Sequence, residues 1–144
     1  MPYWRLFYHF VWGTKNGEPL IAPEWEISLH NVIAAKATEL GGIVHAVGGT
    51  PNHVHLAVSV PPKIALSDFV GQVKGNSSHF VNHALGTNRQ FAWQAEYGVL
   101  SFGGKMLHTV VKYVKNQHQH HEEGTQISPM ERFLAEPSHH KPPG

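Results

Sequence analysis

The run IVHAVGGTPNHVHLAVSV, from Ile43 to Val60, limits the chain's fold more than any other stretch. Two β-rich segments flank Gly48-Gly49-Thr50-Pro51-Asn52, residue types that supply the backbone conformations of a reversal. The pattern predicts a hairpin with a loop of about five residues, closed off by Pro61 and Pro62. A lone hairpin cannot bury its apolar face, so its neighbours in sequence must cover it. Upstream, APEWEISLHNVIAAKATELGG places Pro23 at a helix start and Glu24 and Glu26 in the first turn. Trp25, Leu29, Val32, Ile33 and Leu40 follow at helical spacing, and Gly41 ends the helix. Downstream, Ser67 is a plausible N-cap for a helix whose stripe is Phe69, Val70, Val73, Phe80, Val81 and Leu85. Gly71 and Gly75 weaken that helix and Gly86 ends it.

The flanks complete the pattern. YWRLFYHFVW predicts a strand over Tyr3–Gly13, KNGEPL a turn, and FAWQAEYGVLSFGG a strand around Tyr97–Phe102. KMLHTVVKYVKNQHQHH predicts a last helix with Leu107, Val110, Val111 and Val114 apolar. The order β-α-β-β-α-β-α is that of an α+β, ferredoxin-like split β-α-β fold. We expect an antiparallel sheet with helices on one face plus a C-terminal helix, the other face being open to a ligand. A chain of 144 residues makes one domain, burying roughly 70% of its unfolded surface. That domain is expected over 1–122. Residues 123–144 are expected to form a short helix opened by the capping box Ser128 to Glu131, then a flexible His/Pro-containing tail.

Composition narrows the chemistry. With no cysteine, a disulfide framework or thiolate metal site is impossible. No apolar run is long enough for a membrane span, and MPYWRLFYHF lacks the features of a signal peptide; a cytoplasmic protein without a membrane partner or organic cofactor is expected. Eleven Lys and Arg against ten Asp and Glu give a formal charge of +1, which announces no basic stripe. Thirteen histidines raise the question of a metal instead.

His53 and His55 lie two apart in a predicted strand, on one face and about 6.6–6.8 Å apart along it, so they can converge on one ion while Val54 points inward. Two histidines on a solvated sheet face would look the same. In the last helix, Tyr113 and Gln117 are spaced i, i+4 and share a face; each alone reads equally well as a boundary tyrosine and a solvated amide. Together, two imidazoles and an amide make a neutral donor set suited to Mg²⁺ or Mn²⁺ that also binds phosphate oxygens. Tyr113, one turn from Gln117, becomes a candidate nucleophile.

Over nearly its whole length the chain resembles the single-tyrosine HUH transposases of small bacterial insertion sequences and their domesticated relatives. The resemblance is carried by YHFVW, PNHVHLAVS, LSDFVGQVKGNSSHFVN, FAWQAEYGVLSF and VVKYVKNQHQHH. HUH stands for His-hydrophobic-His, here His53-Val54-His55. The resemblance implies that His53, His55 and Gln117 hold the metal, that Tyr113 attacks DNA to form a 5′-phosphotyrosine, and that Tyr97 is structural. It also implies a homodimer that binds hairpin-marked single-stranded DNA. Many members carry Asp where this chain has Asn52, a change expected to soften histidine orientation without removing a ligand.

Lys74, Asn76, Ser77, Lys105 and Lys112 are candidate DNA contacts, with Lys63, Lys115, Arg5 and Arg89 as further positive charges. Trp12, Trp93 and Phe102 are candidate base-stacking platforms or else core residues. Two other readings stand beside the transposase: a catalytically silent or domesticated hairpin-binding protein, and a metal-storage protein using His118, His120, His121, His139 and His140.

Overall fold

The computed structural model describes residues 3–85 and 90–117. Strand β1 (Phe7–Gly13) leads through a short 3-10 turn to helix α1 (Glu26–Glu39). Strands β2 (Ile43–Thr50) and β3 (His53–Ser59) follow, then helix α2 (Leu66–His83), strand β4 (Gly98–Phe102) and helix α3 (Leu107–Lys115). The four strands form one sheet in the order β2-β3-β1-β4 with every neighbouring pair antiparallel. This is the expected α+β architecture with the split β-α-β strand order. The expected helix after Ser128 and the tail 123–144 lie outside the described residues.

Alternation along the strands separates two faces. On one, Phe10, Trp12, Val54, Leu56 and Val58 pack against Leu29, Ile33 and Ala37 of α1 and Phe69, Val70, Val73 and Val81 of α2. Full burial of each large side chain contributes about 1.5–3 kcal/mol, so this layer holds the domain together. On the other face the ladder pairs Ala46 with Ala57, Gly48 with His55 and Thr50 with His53. That face is not open: α3 lies on it, with Val114 buried against Ala46 and Ala57 and with Val110 and Val111 alongside. The last helix therefore covers part of the surface expected to be free.

Small residues allow this docking. The Val114 carbonyl oxygen occupies the volume a Cβ at Gly48 would need, so α3 rests its backbone directly on β2. Gly49 is equally constrained, because a Cβ there would overlap the carbonyl of His53. Close backbone approach thus accounts for both glycines, and both belong to the strand rather than the turn. The hairpin loop is Pro51-Asn52 alone, shorter than the five residues expected. Other boundaries shift similarly. β1 starts at Phe7 rather than Tyr3, and Ala65 rather than Ser67 occupies the N-cap of α2, with no side-chain cap bond. α1 starts at Glu26, after a turn at Pro23–Trp25.

Gly48→Ala should lift α3 from the sheet while leaving the α1/α2 layer intact. We expect loss of amide hydrogen-exchange protection across Leu107–Lys115 and a stability loss of about 1–3 kcal/mol. Unchanged α3 protection would contradict the close approach.

Candidate metal and nucleophile site

The docked helix brings its C-terminal half over the histidine pair. Tyr113 stands with its ring centroid 5.8 Å from that of His55 and 6.1 Å from that of His9, edge-on to both. One turn later, Gln117 is buried, and its Nε2 donates to the Tyr113 carbonyl at 2.9 Å. That bond turns the amide nitrogen toward the Tyr113 carbonyl, and Oε1 is the atom of the side chain that can ligate. Gln117 Oε1 is buried and has no hydrogen bond among the described residues, an arrangement that costs free energy unless something else satisfies the oxygen.

The histidines are held from behind. Thr50 Oγ1 and Asn52 Oδ1 each lie 2.8 Å from His53 Nδ1, and Thr50 Oγ1 donates to Asn52 Oδ1 at 3.0 Å. Asn52 Nδ2 donates to the Gly17 carbonyl, so the acceptor end of Asn52 faces His53. An acceptor there requires the proton on Nδ1 and leaves the lone pair on Nε2. In His55, Nδ1 lies 2.7 Å from His9 Nε2. Each ring therefore has Nδ1 engaged, and Nε2 is the nitrogen it can present to a cation. His53 and His55 are both buried, with ring centroids 5.0 Å apart.

Two imidazole nitrogens and an orphaned amide oxygen fit a hard or borderline divalent cation better than a soft one. Among the described residues, no group of three His, Cys, Asp or Glu side chains is arranged to hold a metal; the set reaches three donors only by counting the Gln117 amide. His118, His120, His121, His139 and His140 lie outside the described residues.

Of the expected DNA contacts, Lys105 and Lys112 are exposed, before and on α3. With His108 and Lys115 they recur at intervals of three, four and three residues, giving α3 an outward basic stripe beside Tyr113. Asn76 is exposed on α2. Lys74 and Ser77 are employed inside the fold. Lys74 Nζ donates to the carbonyls of Gln94, Ala95 and Glu96 at 2.7, 3.3 and 3.1 Å, and burial pushes its ammonium down to about 8 against the opposing pull of Glu96. Ser77 Oγ accepts from Trp93 Nε1. Asn82 adds a pair of bonds to the Phe91 backbone. These bonds tie the segment before β4 to α2, and Gln94 of that segment lies over Gly13, the ladder partner of His53.

The aromatic candidates divide the same way. Trp12 is core, Trp93 packs edge-on against Trp12 and Phe91, and Tyr97 packs near Phe10. Phe102, stacked on Phe7, and Trp93 are both half-buried, so each keeps some exposure. The sequence alone does not mark His9 as part of the site. It sits in YHFVW, and its signal is the antiparallel register, which makes it diagonal to His55.

Residues 2–117 match the family model described as Transposase IS200 like. The chain is 28% identical over 120 residues to the ISDra2 transposase TnpA of Deinococcus radiodurans, covering 80% of this chain and 86% of that protein. It is 25% identical over 131 residues to the transposase for insertion sequence element IS200 of Salmonella typhimurium, covering 87% and 85%. A crystal structure described as a transposase of Deinococcus radiodurans superposes with a TM-score of 0.64 at 25% identity, covering 81% of this chain and 95% of that one. A REP-associated tyrosine transposase, solved bound to a REP hairpin, shares the fold with a TM-score of 0.60 at 17% identity, covering 98% and 89%. No described helix is long and apolar enough to cross a membrane.

Two measurements probe the electrostatics around the site. Lys74→Met removes three charge-assisted bonds and should cost about 1–3 kcal/mol in urea unfolding; no loss would mean that Lys74 tethers nothing. Burial holds the His45 imidazole below the ordinary histidine value. As pH falls below about 6.5, the unfolded chain binds a proton that folded His45 resists, so stability falls with pH there. His45→Gln should flatten that slope.

Proposed function

This chain belongs to the IS200-like transposase family, and we propose that it cuts and rejoins hairpin-marked single-stranded DNA with Tyr113 as the nucleophile. The observation that carries the proposal is the docking of α3, which sets the Tyr113 ring 5.8 Å from that of His55 and buries Gln117 with its amide oxygen unsatisfied. Under this reading His53 Nε2, His55 Nε2 and Gln117 Oε1 hold Mg²⁺ or Mn²⁺. A divalent ion bound there supplies electrophilic stabilisation of charge on a nonbridging phosphate oxygen.

The remaining work falls to the chain's own groups. The Tyr113 hydroxyl oxygen attacks phosphorus in line. The tyrosyl O–P bond forms as the P–O3′ bond breaks, giving a 5′-phosphotyrosine and a strand ending in 3′-OH. The tyrosine proton passes to water and the departing 3′ oxygen takes one up, so the step balances without a co-reactant. One phosphodiester replaces another, and a second 3′-OH can reverse the reaction and join a new strand. The basic stripe of Lys105, His108, Lys112 and Lys115 gives the DNA backbone a track beside the tyrosine.

A hairpin ligand is supported by the fold shared with the hairpin-bound REP-associated transposase. For the homodimer, β4 is an edge strand among the described residues and carries the exposed Leu100. Under this reading Tyr113 serves the site of its own subunit, which the packing of α3 on its own chain's sheet supports.

A hairpin oligonucleotide with a single-stranded flank, incubated with Mg²⁺ or Mn²⁺, should give a covalent protein–DNA adduct. Tyr113→Phe and EDTA should each abolish it, and His55→Ala should reduce it by about 100-fold or more. An adduct that persists in Tyr113→Phe would overturn the nucleophile. Hairpin binding without cleavage under any metal would favour the silent DNA-binding reading. Lys112→Ala should weaken binding similarly for all sequences and lower the salt slope by about 0.7.

A further inference from the structure

His9 has no part in the ligand set, yet its Nε2 lies 2.7 Å from Nδ1 of His55, and it is 7% exposed. The register explains the contact. β1 pairs His9 with Ala57 and Val11 with His55, so His9 and His55 are diagonal neighbours on the face that α3 covers. Diagonal pairs in an antiparallel ladder stand about 7–8 Å apart, within reach of two imidazoles. The rings are 5.0 Å apart between centroids and inclined by 36°.

One hydrogen lies between the two nitrogens, and it can belong to either ring. If His9 donates, neutral His55 carries its proton on Nε2, the atom that would face a cation. If His55 donates, its Nε2 keeps a lone pair and His9 carries its proton on Nδ1. His53 offers the comparison, because the Asn52 carbonyl oxygen requires its proton on Nδ1. The two histidines of the pair can act on one ion only when both are protonated at Nδ1.

We propose that His9 is a positioning residue: by accepting at Nε2 from His55 Nδ1–H, it fixes the ring and the tautomer in which His55 can ligate a divalent cation. The inference rests on the reading of His53, His55 and Gln117 as metal ligands. His9 serves His55 as Asn52 serves His53. Such partners behind a ligand typically carry 10–100-fold in metal affinity.

The test has two independent readouts on the full-length chain. In metal-free protein, long-range ¹H–¹⁵N correlation spectra identify which ring nitrogen of each histidine bears hydrogen. Wild type should show His55 protonated at Nδ1 and bare at Nε2, with His9 protonated at Nδ1. His9→Gln, whose amide oxygen can take the place of Nε2, should keep the His55 tautomer; His9→Leu should shift it toward Nε2–H. Mn²⁺ titration should then show dissociation constants raised about 10–100-fold by His9→Leu and only severalfold by His9→Gln. Wild-type His55 protonated at Nε2 would overturn the inference without any variant having to fold. So would His9→Leu that keeps both the tautomer and the Mn²⁺ affinity of wild type. Wild-type protein that binds no Mn²⁺, with His55 protonated at Nδ1, would instead overturn the metal reading.

Discussion

The candidate site depends on one close approach, the backbone of α3 lying on the small residues of β2 and β3. Ala46, Gly48 and Ala57 leave the sheet floor low enough for Val114 to seat and for its carbonyl to reach Gly48. Helix packing normally separates axes by the thickness of two side-chain layers, and glycine removes one of them locally. Gly48 is the ladder partner of His55, so the point of closest approach lies beside a candidate ligand. A larger residue there would raise the helix and withdraw Tyr113 from His55 and His9.

The sheet divides its labour by face. The α1/α2 side is apolar and supplies stability, whereas the α3 side buries polar groups and gives His53, His55 and the Gln117 amide nitrogen specific partners. Buried imidazoles cost free energy unless hydrogen-bonded, and here the bonds that meet that cost also orient the rings. Asn52 and Thr50 hold His53, His9 adjoins His55, and the Tyr113 carbonyl holds the Gln117 amide. The donor set carries no formal charge. A divalent cation bound by such a set would keep its attraction for anionic phosphate.

Much of the fold was legible because local rules and tertiary demands agree. Helical stripes, the proline stop after β3 and the order of elements led to the four-stranded antiparallel sheet. The departures share a cause in contacts distant in sequence. Gly48 and Gly49 look like turn residues, but their need for glycine comes from α3 and from the backbone across the hairpin. Lys74 and Ser77 look like DNA contacts on an exposed helix, but the segment at 91–96 folds back onto them. At the site, His53, His55, Tyr113 and Gln117 stood out by spacing and residue type. His9 did not, because its diagonal position exists only once the β1–β3 register is known. Asn52, expected to soften histidine orientation, still presents a carbonyl oxygen where a carboxylate would present one.

The central claim is that α3 completes a cation site on its own chain's sheet. Crystals of the full chain grown with Mn²⁺ and measured at the manganese edge test it most directly. The account predicts one anomalous peak bound by His53 Nε2, His55 Nε2 and Gln117 Oε1 of a single molecule. A map with no peak at the histidine pair, or a peak that leaves the Gln117 amide uncoordinated or takes the amide from a second molecule, would contradict it.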